Sequence, residues 1–471
     1  VKDSTAQAQR AQAEKAQKAA GFKKQAAVKQ EVQQDTTALF HKALVGTAQD
    51  VTLKNSKVEL TMSTKGATVT KAVIKNYKDN ITEGNNVTLF QGADQSLNYT
   101  FVAKEANIST ADLYFQPSNV TDSTVTFTAE AGPGKAIVMT YTLGSDYMLH
   151  SKLHVEGMAG LFAPNSHNIA IDWKGKARQQ EKGFTFENRY ATLTYHDVEG
   201  GTDKLSETSE KIDEEVKEKI DWVAFKNQFF SAVMIAKNDL GEGTLMTSIP
   251  HKKGEGYLKT YEAKMKTVFD PTGQKPTEFE FYYGPNDFRL LQKVQKESKF
   301  GKELQMERLV YLGWPLFRII NRWFTIYVFD WLSKWFPMGV VLILITILLK
   351  FITYPMVKKS YMSSAKMRVL KPKLDAATKQ FDKPEDQMQK QQAMMAEYSK
   401  YGVSPLSGCL PMFIQMPIWI AMFNFVPNAI QLRGESFLWM KDLSTYDPII
   451  TWNHDIWLLG DHLSLTCILF V

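Results

Sequence analysis

Lys350 is the residue in this sequence whose position most constrains its chemistry. It is the only charged residue between Gly339 and Val357, a run that includes VVLILITILL. At 1.5 Å per residue this run crosses most of a hydrocarbon layer. A lysine at that depth costs about 2.5–3.5 kcal/mol on insertion scales, so we expect its ammonium group to face water or a partner rather than lipid. The alternative is that it snorkels toward Lys358 and Lys359, two turns away.

A second apolar run carries polar groups that can share a site with this lysine. Leu410 to Val426 contains Gln415, which can hydrogen-bond, and two prolines, which free backbone carbonyls that need partners. Thr346, one turn before the lysine, extends a polar strip on the same helical face. We therefore predict a wet groove inside the membrane, although ordinary helix–helix hydrogen bonding stays open for Gln415 and is favoured for Asn424. The predicted groove residues are Lys350, Thr346, Gln415, Pro411, Pro417 and Met416.

The motifs of common enzymes are missing from the sequence. There is no GxxxxGK[ST], complete GxGxxG, HExxH or GxSxG, so nucleotide-driven transport, zinc proteolysis and α/β-hydrolase chemistry have no support. The spacing of His150 and His154 puts both on one face of a strand, but no cysteine or acidic cluster completes a metal site there. The net charge of +6 is modest, and no basic run is interleaved with aromatics. We expect no enzyme activity, cofactor, metal or nucleic-acid partner.

Composition divides the chain into parts suited to different solvents. Residues 1–44 are rich in Ala, Gln and Lys and predict a flexible tether. Residues 45–305 contain short apolar runs, such as Val58 to Met62, separated by Gly, Asn and Asp, which predicts a large antiparallel β-sandwich. Both cysteines, Cys409 and Cys467, lie outside this region, so we expect no disulfide framework in it.

Residues 306–336 combine aromatic and charged side chains. Ten of the 28 residues from Leu309 to Phe336 are aromatic. Four charged residues follow one helical stripe, namely Arg318, Arg322, Asp330 and Lys334. Four charges argue against a membrane span, whereas an aromatic face beside a charged one suits a helix lying flat in the membrane interface. A buried amphipathic helix docked on the sandwich is the alternative.

Residues 337–471 are predicted to form a helical transmembrane core. Its parts are a first span (338–357), a cytoplasmic hairpin (358–401), a second span (406–427), a periplasmic loop (428–455) and the start of a third span (456–471). From Lys358 to Lys400 there are ten Lys or Arg against five Asp or Glu, and the positive-inside rule places this loop in the cytoplasm. By parity the sandwich lies on the outer side. Because the chain begins at Val1 and Leu463 to Val471 is too short to span, we expect a signal anchor before this sequence and further membrane helices after it.

The cytoplasmic hairpin is rich in methionine. Nine of the 19 methionines fall between Met356 and Met422. We predict a helix over 360–380, a turn near 382–384 and a second helix over 385–401, with Pro384 at its start. Flexible thioether side chains offer a pliant surface to varied apolar partners. The predicted contacts are Met362, Met367, Met388 and Met394. Filling of the seam between the two helices is an equally open role for Met388 and Met395.

Several of these residues occur in motifs that resemble the core of YidC/Oxa insertases. The matching stretch includes Thr346, Lys350, Tyr354-Pro355, Ser364-Ala365-Lys366-Met367 and Leu370-Lys371-Pro372-Lys373. It continues with Pro405-Leu406, Gly408-Cys409, Pro411 and Ile414-Gln415-Met416-Pro417-Ile418. The resemblance covers about residues 314–426. Upstream, Trp222-Val223-Ala224, Phe229 and Gly284-Pro285 resemble parts of the periplasmic domain of Gram-negative family members.

The resemblance implies a fold and a function. The fold has five core helices around a hydrophilic groove open to the cytoplasm and to lipid, only part of which this chain contains, and a periplasmic supersandwich similar to sugar mutarotases. The function is insertion of nascent membrane proteins into the bacterial inner membrane by a multi-pass protein. It acts alone or with the Sec translocon, and the ribosome is a further expected partner beside the lipid bilayer. The base of the family's groove is usually an arginine, and Lys350 here keeps the charge but lacks the guanidinium fork.

Two other functions stay open at this point. A membrane-anchored carbohydrate-binding envelope protein would need a cleft in the sandwich with stacked aromatics and a carboxylate pair, whereas insertion needs a polar cavity around Lys350. An anion transporter that uses Lys350 would be expected to carry internal repeats, and the sequence shows none.

Overall fold

The chain has two units that differ in secondary structure. The computed structural model describes residues 39–82, 84–163, 166–206, 210–379, 387–402, 410–456 and 460–470. The first unit, Val1–Leu309, is built mainly from β-strands, and the second, Val310–Val471, mainly from helices. The predicted fold class, a large antiparallel β-sandwich followed by a helical membrane region, is confirmed.

Several strands of the first unit bury alternate residues, whereas central strands such as Ile220–Lys226 are buried throughout. The strand Val58–Ser63, for example, buries every second residue, because successive side chains of a strand point to opposite faces. The strands are β1 (Asp50–Lys54), β2 (Val58–Ser63), β3 (Thr68–Lys78), β4 (Asn86–Gln91), β5 (Gln95–Val102), β6 (Asn107–Ser109), β7 (Gln116–Ser118), β8 (Thr124–Gly132), β9 (Lys135–Leu143), β10 (Met148–Glu156), β11 (Asn168–Arg178), β12 (Thr192–Asp197), β13 (Gly201–Lys204), β14 (Ile212–Val216), β15 (Ile220–Lys226), β16 (Phe230–Leu240), β17 (Thr244–Pro250), β18 (Tyr257–Val268) and β19 (Thr277–Pro285).

These strands form three antiparallel sheets. Their orders are β1-β2-β3-β4, then β13-β12-β15-β16-β19-β10-β9-β8-β7, and β14-β17-β18-β11-β5-β6. Aromatic side chains join the nine-stranded sheet to the six-stranded one. Trp173 of β11 stacks on Phe225 of β15 with ring centroids 3.8 Å apart, and Tyr99 of β5 lies 5.5 Å from Phe279 of β19. The core of the unit therefore lies between two packed sheets, as in other sandwiches.

Short helices flank the sheets of the first unit. They are α1 (His41–Leu44), α2 (Phe184–Tyr190) and α3 (Phe288–Glu297). Residues 1–38 of the predicted tether lie outside the described residues. The last part of that prediction is wrong, because Phe40 and Ala43 are buried and the Phe40 N–H donates to the Ala131 carbonyl at 3.3 Å. An apolar ring just before the sandwich gains more from burial than from remaining in water.

Helices dominate the second unit. They are α4 (Pro315–Ile320), α5 (Ile326–Leu332), α6 (Met338–Thr378), α7 (Gln387–Lys400), α8 (Leu410–Phe425) and α9 (Leu465–Phe470). A π-helical stretch, Asn321–Thr325, joins α4 to α5 without a break, and we call Pro315–Leu332 the interfacial helix. The helix predicted to begin at residue 306 therefore starts nine residues later. Gly313 has a φ of +87°, which interrupts a helix, and Pro315 takes the first helical turn, where its missing N–H is not needed.

Helix α6 is the one helix in the described residues that is long and apolar enough to cross a membrane. Its 41 residues extend about 60 Å, twice the thickness of a hydrocarbon layer. The first predicted span and the first predicted hairpin helix are therefore one continuous helix, which runs through Pro355 and Pro372. Helix α8, with 16 residues, occupies most of the second predicted span. The predicted hairpin turn, including Pro384, lies outside the described residues.

The predicted start of a third span is wrong over most of its length. Strands β20 (Pro448–Ile456) and β21 (Gly460–Ser464) pair as an antiparallel hairpin, and a helix begins only at Leu465. Ile449-Ile450-Thr451-Trp452 is a β-branched and aromatic sequence that favours a strand, and Gly460-Asp461 disfavours a helix.

Asp94 is expected to make the stability of the sandwich depend on acid pH. Burial raises the pKa of Asp94, but hydrogen bonds from the Tyr257 hydroxyl, the Gln91 N–H and Arg178 outweigh it and hold this pKa below its ordinary value. Such a carboxylate adds stability above the unfolded-state pKa of about 4, and the contribution is lost as pH falls through the lower folded-state pKa. Asp94→Asn should lower the free energy of unfolding by about 1–3 kcal/mol at neutral pH, measured by urea titration of the fragment 1–309.

The difference between wild type and Asp94→Asn should then shrink as the solution becomes more acid. Asp213→Asn is the matched control, since Asp213 is exposed and its ion pair with Lys211 contributes little. A difference that stays constant down to about pH 3 would contradict the prediction.

Candidate functional site

A cavity of about 310 Å³ lies between helices α6 and α8. Each helix lines it with one face, because residues three, four and seven apart share a side of a helix. The lining residues of α6 are Thr346, Leu349, Lys350 and Thr353. Those of α8 and the turn that follows it are Gln415, Ile418, Trp419, Met422, Phe423, Val426 and Pro427. The cavity thus joins a polar strip on one helix to a mainly apolar and aromatic wall on the other.

Lys350 is the only charged residue among the described lining residues. It lies 12 residues after Met338, about 18 Å along the helix axis. Within the ranges that the structure describes, no carboxylate or other group is hydrogen-bonded to its Nζ. Its ammonium group therefore requires water in the cavity or an anionic partner from another molecule.

The two threonines beside Lys350 hydrogen-bond to backbone carbonyls of α6. Thr346 Oγ1 donates to the Leu342 carbonyl at 2.8 Å, and Thr353 Oγ1 donates to the Leu349 carbonyl at 2.9 Å. Each hydroxyl has used its donor within the helix and retains lone pairs that can accept a hydrogen bond. The strip can therefore accept hydrogen bonds from water or a polar chain beside the ammonium group.

The structure brings together three of the six predicted groove residues. Thr346, Lys350 and Gln415 line one cavity. Met416 is 42% exposed and Pro417 is half-buried, but neither is among the lining residues. Helix α8 runs through Pro411, whose side chain lies outside the described set.

Residues that the sequence prediction missed form much of the cavity wall. Thr353 follows Thr346 by seven residues, a spacing that points to the same face. Trp419 and Met422 follow Gln415 by four and seven residues, so the same rule applied to Gln415 would have found them.

The hairpin formed by the end of α6 and by α7 contains a seam that uses some of its methionines. Leu370 and Leu374 of α6 are buried there, and Met367, Met394 and Tyr398 pack against them. Lys373 of α6 donates a hydrogen bond from Nζ to the hydroxyl of Tyr401, the residue that follows α7, at 3.1 Å. Of the predicted contact residues, Met367 and Met394 therefore serve the seam. The other two, Met362 and Met388, are exposed, and so is Met395.

The interfacial helix has one aromatic face and one packed face. Trp323, Tyr327, Trp331 and Trp335 are exposed at four-residue intervals along and just beyond the helix. On the other side Phe329 meets Phe425 of α8 edge-to-face, with ring centroids 5.3 Å apart. Exposed aromatic side chains on one face are typical of a helix in the membrane interface, and that location stays a prediction.

One cavity in the sandwich is small and lies among aromatic side chains. This cavity of about 30 Å³ lies beside Phe225 and Arg178, and no carboxylate is among its described lining residues. The Phe225 ring leaves little space there, since a Cβ added to Gly175 would lie 2.7 Å from it. His150 pairs with the Glu280 carboxylate at 3.1 Å. These features do not favour the carbohydrate-binding alternative.

Comparisons with known proteins match both units. Residues 50–327, more than half of the chain, match the family described as YidC periplasmic domain, and residues 330–471 match the 60Kd inner membrane protein family. A membrane protein insertase YidC from Phocaeicola vulgatus is 52% identical over 438 residues, which cover 93% of this chain and 70% of that protein. The chain belongs to the YidC membrane protein insertase family. The predicted family and function are therefore confirmed, and this YidC-family chain is an inner-membrane insertase with a periplasmic domain.

Solved structures show weaker likenesses to this YidC-family chain. The crystal structure of an active YidC insertase with its first transmembrane domain resolved is 17% identical, with a TM-score of 0.29, and the match covers 85% of this chain and 77% of that one. A galactose mutarotase related enzyme from Lactobacillus acidophilus is 10% identical, with a TM-score of 0.31, over 50% of this chain and 97% of that one. Neither likeness contributes to the assignment.

Exposed methionines of the hairpin are expected to contact clients before the seam methionines do. A photo-crosslinking amino acid at Met388 should give several times more crosslinks to a nascent membrane protein than one at Met394, because only the former is exposed. The measurement is the yield of crosslinked client in ribosome-bound insertion intermediates. Equal yields at both positions, or crosslinks that arise only from the sandwich, would count against a client-contacting hairpin.

Proposed function

We propose that the cavity between α6 and α8 receives polar segments of nascent membrane proteins and that Lys350 draws their acidic groups part-way across the membrane. The observation that carries this proposal is an ammonium group at mid-membrane depth that lines a cavity and has no counter-charge among the described residues. A client carboxylate supplies the missing partner.

The depth of Lys350 makes its charge more effective than a surface charge. Two unit charges 4 Å apart interact by about 1 kcal/mol in bulk water and about 4 kcal/mol at the lower effective dielectric constant of a protein surface. Part of that gain is offset by taking the client carboxylate out of water. The net effect is a lower barrier for an acidic tail, with less benefit for a neutral one.

The apolar wall of the cavity suits the rest of the client. Trp419, Met422 and Phe423 present aromatic and thioether surface opposite the polar strip. Such surfaces adapt to varied apolar side chains, because methionine has several rotatable bonds and aromatic rings cover a large area. A volume of about 310 Å³ holds only a few side chains, so a client passes through in short segments. The process is binding and release, with no covalent chemistry.

Further parts of the proposal concern partners and topology. The excess of Lys and Arg between Lys358 and Lys400 supports a cytoplasmic hairpin, which would meet ribosomes and emerging clients. With the sandwich and the loop after α8 on the periplasmic side, both α6 and α8 cross the membrane, which makes this a multi-pass protein. The Sec translocon is the partner for clients whose insertion needs both the translocon and this insertase.

The effect of changing the charge at Lys350 on client insertion should depend on the charge of the client's translocated tail. Lys350→Arg should preserve insertion, because it keeps a positive charge at the same depth, and Lys350→Ala should slow insertion of a client with an acidic tail by roughly tenfold. The measurement is protease protection of one client, with its tail carboxylates present or neutralised, in vesicles that contain each variant.

The neutralised tail serves as the matched control for this experiment. Its insertion should fall much less in Lys350→Ala, and Lys350→Glu should reverse the preference between the two tails. Equal loss for both tails, or no loss for either, would refute the electrostatic role. The cavity would then act only through its shape and water content.

The periplasmic sandwich is expected to be largely dispensable for insertion. Every feature with a proposed membrane role lies in the unit that begins at Val310. Deleting residues 51–283 should leave insertion of a small client within about twofold of wild type when the two proteins are present in equal amounts. Quantitative blotting of the protein and protease protection of the client provide the measurement. Loss of client insertion in a deletion variant that is stably produced would contradict the prediction that the sandwich is dispensable.

A further inference from the structure

Asn321 is a fully buried asparagine in the middle of the interfacial helix. It opens the π-helical stretch Asn321–Thr325, in which the Ile326 N–H bonds to the Asn321 carbonyl five residues earlier. Wide turns of this kind inside an α-helix often coincide with functional sites. Neither the cavity nor the aromatic stripe accounts for this residue.

The side-chain amide of Asn321 connects the interfacial helix to α8. Nδ2 donates to the carbonyl of Ala421 at 2.8 Å and to the carbonyl of Leu312 at 3.2 Å, so both amide protons are used. Oδ1 is buried and has no hydrogen-bond partner in the described part of the chain. An unsatisfied buried oxygen costs free energy, so a leucine of similar volume would be better if the position served packing alone.

Ala421 lies on the side of α8 turned away from the cavity. At 3.6 residues per turn, it is rotated by roughly 130° from the middle of the face that carries Gln415, Trp419 and Met422. Ala421 is fully buried, and its small side chain leaves room for the Asn321 amide to reach the backbone. Turning α8 by one residue would bring the larger Ile420 or Met422 to this position. The hydrogen bond therefore selects one rotation of α8.

The other contacts between these segments are less directional. The edge-to-face pair of Phe329 and Phe425 tolerates sliding and rotation of the rings. Gly313 lies so close to Asn424 that an added Cβ would be 2.7 Å from its Nδ2. These contacts set the separation of the two segments, whereas the amide donor of Asn321 requires one carbonyl in one direction.

We propose that Asn321 is a positioning residue that sets the rotation of α8 and thereby decides which side chains of α8 face the cavity. The inference rests on the proposed function of that cavity only for its effect on clients. Asn321 is not itself a lining residue and acts through α8.

The test compares Asn321→Leu with Thr325→Val in the full chain in lipid vesicles. Both changes remove a buried polar group from the interfacial helix, but only Asn321 has a described hydrogen bond to α8. Spin labels on cysteines at 353 and 422, with Cys409 and Cys467 replaced by serine, report the distance across the cavity. Client insertion is measured separately with unlabelled variants.

Asn321→Leu should shift or broaden the distance distribution and reduce client insertion roughly threefold, the size expected from one hydrogen bond between membrane helices. Thr325→Val should leave the distance distribution close to wild type. Ala421→Val changes the same contact from α8 while Asn321 stays in place, and it should produce the same shift. It provides the test if Asn321→Leu yields too little folded protein.

Unchanged distances in both Asn321→Leu and Ala421→Val overturn the proposal, as does an equal shift in Thr325→Val. If the distances shift while insertion is unaffected by these variants and by Lys350→Ala, the positioning role stands and the proposed function of the cavity fails. A shift with reduced insertion, beside a Lys350→Ala variant that also inserts poorly, supports both.

Discussion

An ammonium group inside a hydrocarbon layer must have water or an anion beside it, and the helical unit is arranged to meet that requirement. Lys350 lines a cavity instead of facing a packed helix. Thr346 and Thr353 add acceptors on the same face while their protons are bonded within the helix, so the polar strip leaves neither hydroxyl donor unpaired. The cavity exists because α8 is held beside α6 without filling the space.

The β-sandwich could be predicted as a class but not as a topology. Alternation along strands such as Val58–Ser63 reports that one face is buried, because the two faces of a strand meet different solvents. It does not report which strands pair. Strand β10 (Met148–Glu156) pairs with β19 (Thr277–Pro285), more than a hundred residues later, and that choice depends on the packing of the whole sheet. The burial of Phe40 had a local signal in the short apolar run around it, ALFHKALV, which the average composition of residues 1–44 conceals.

Prediction within the helical unit succeeded where polar residues stand out and failed where they do not. Lys350 and Gln415 are conspicuous in apolar runs, so their side chains could be assigned to one site. Trp419 sits in a helix that is apolar apart from Gln415 and Asn424, so hydrophobic periodicity gives little contrast and only its four-residue spacing from Gln415 marks it. In the hairpin, composition marked Met367 and Met394 as contact residues, although the four-residue spacing of Leu370 and Leu374 indicates a packed seam there.

The chemistry of the cavity favours brief contact over tight binding, as the proposed role in insertion would require. A lysine is a compact charge on a flexible stem and lacks the fixed fork with which arginine binds a carboxylate through two bonds. Met422 and Trp419 offer large surfaces that fit many side chains and few of them closely. A site that bound one sequence strongly would retain it, since the free energy gained on entry must be returned on release into lipid. In the proposed mechanism, an adaptable apolar wall with a single movable charge would lower the barrier to entry for many clients without holding any of them.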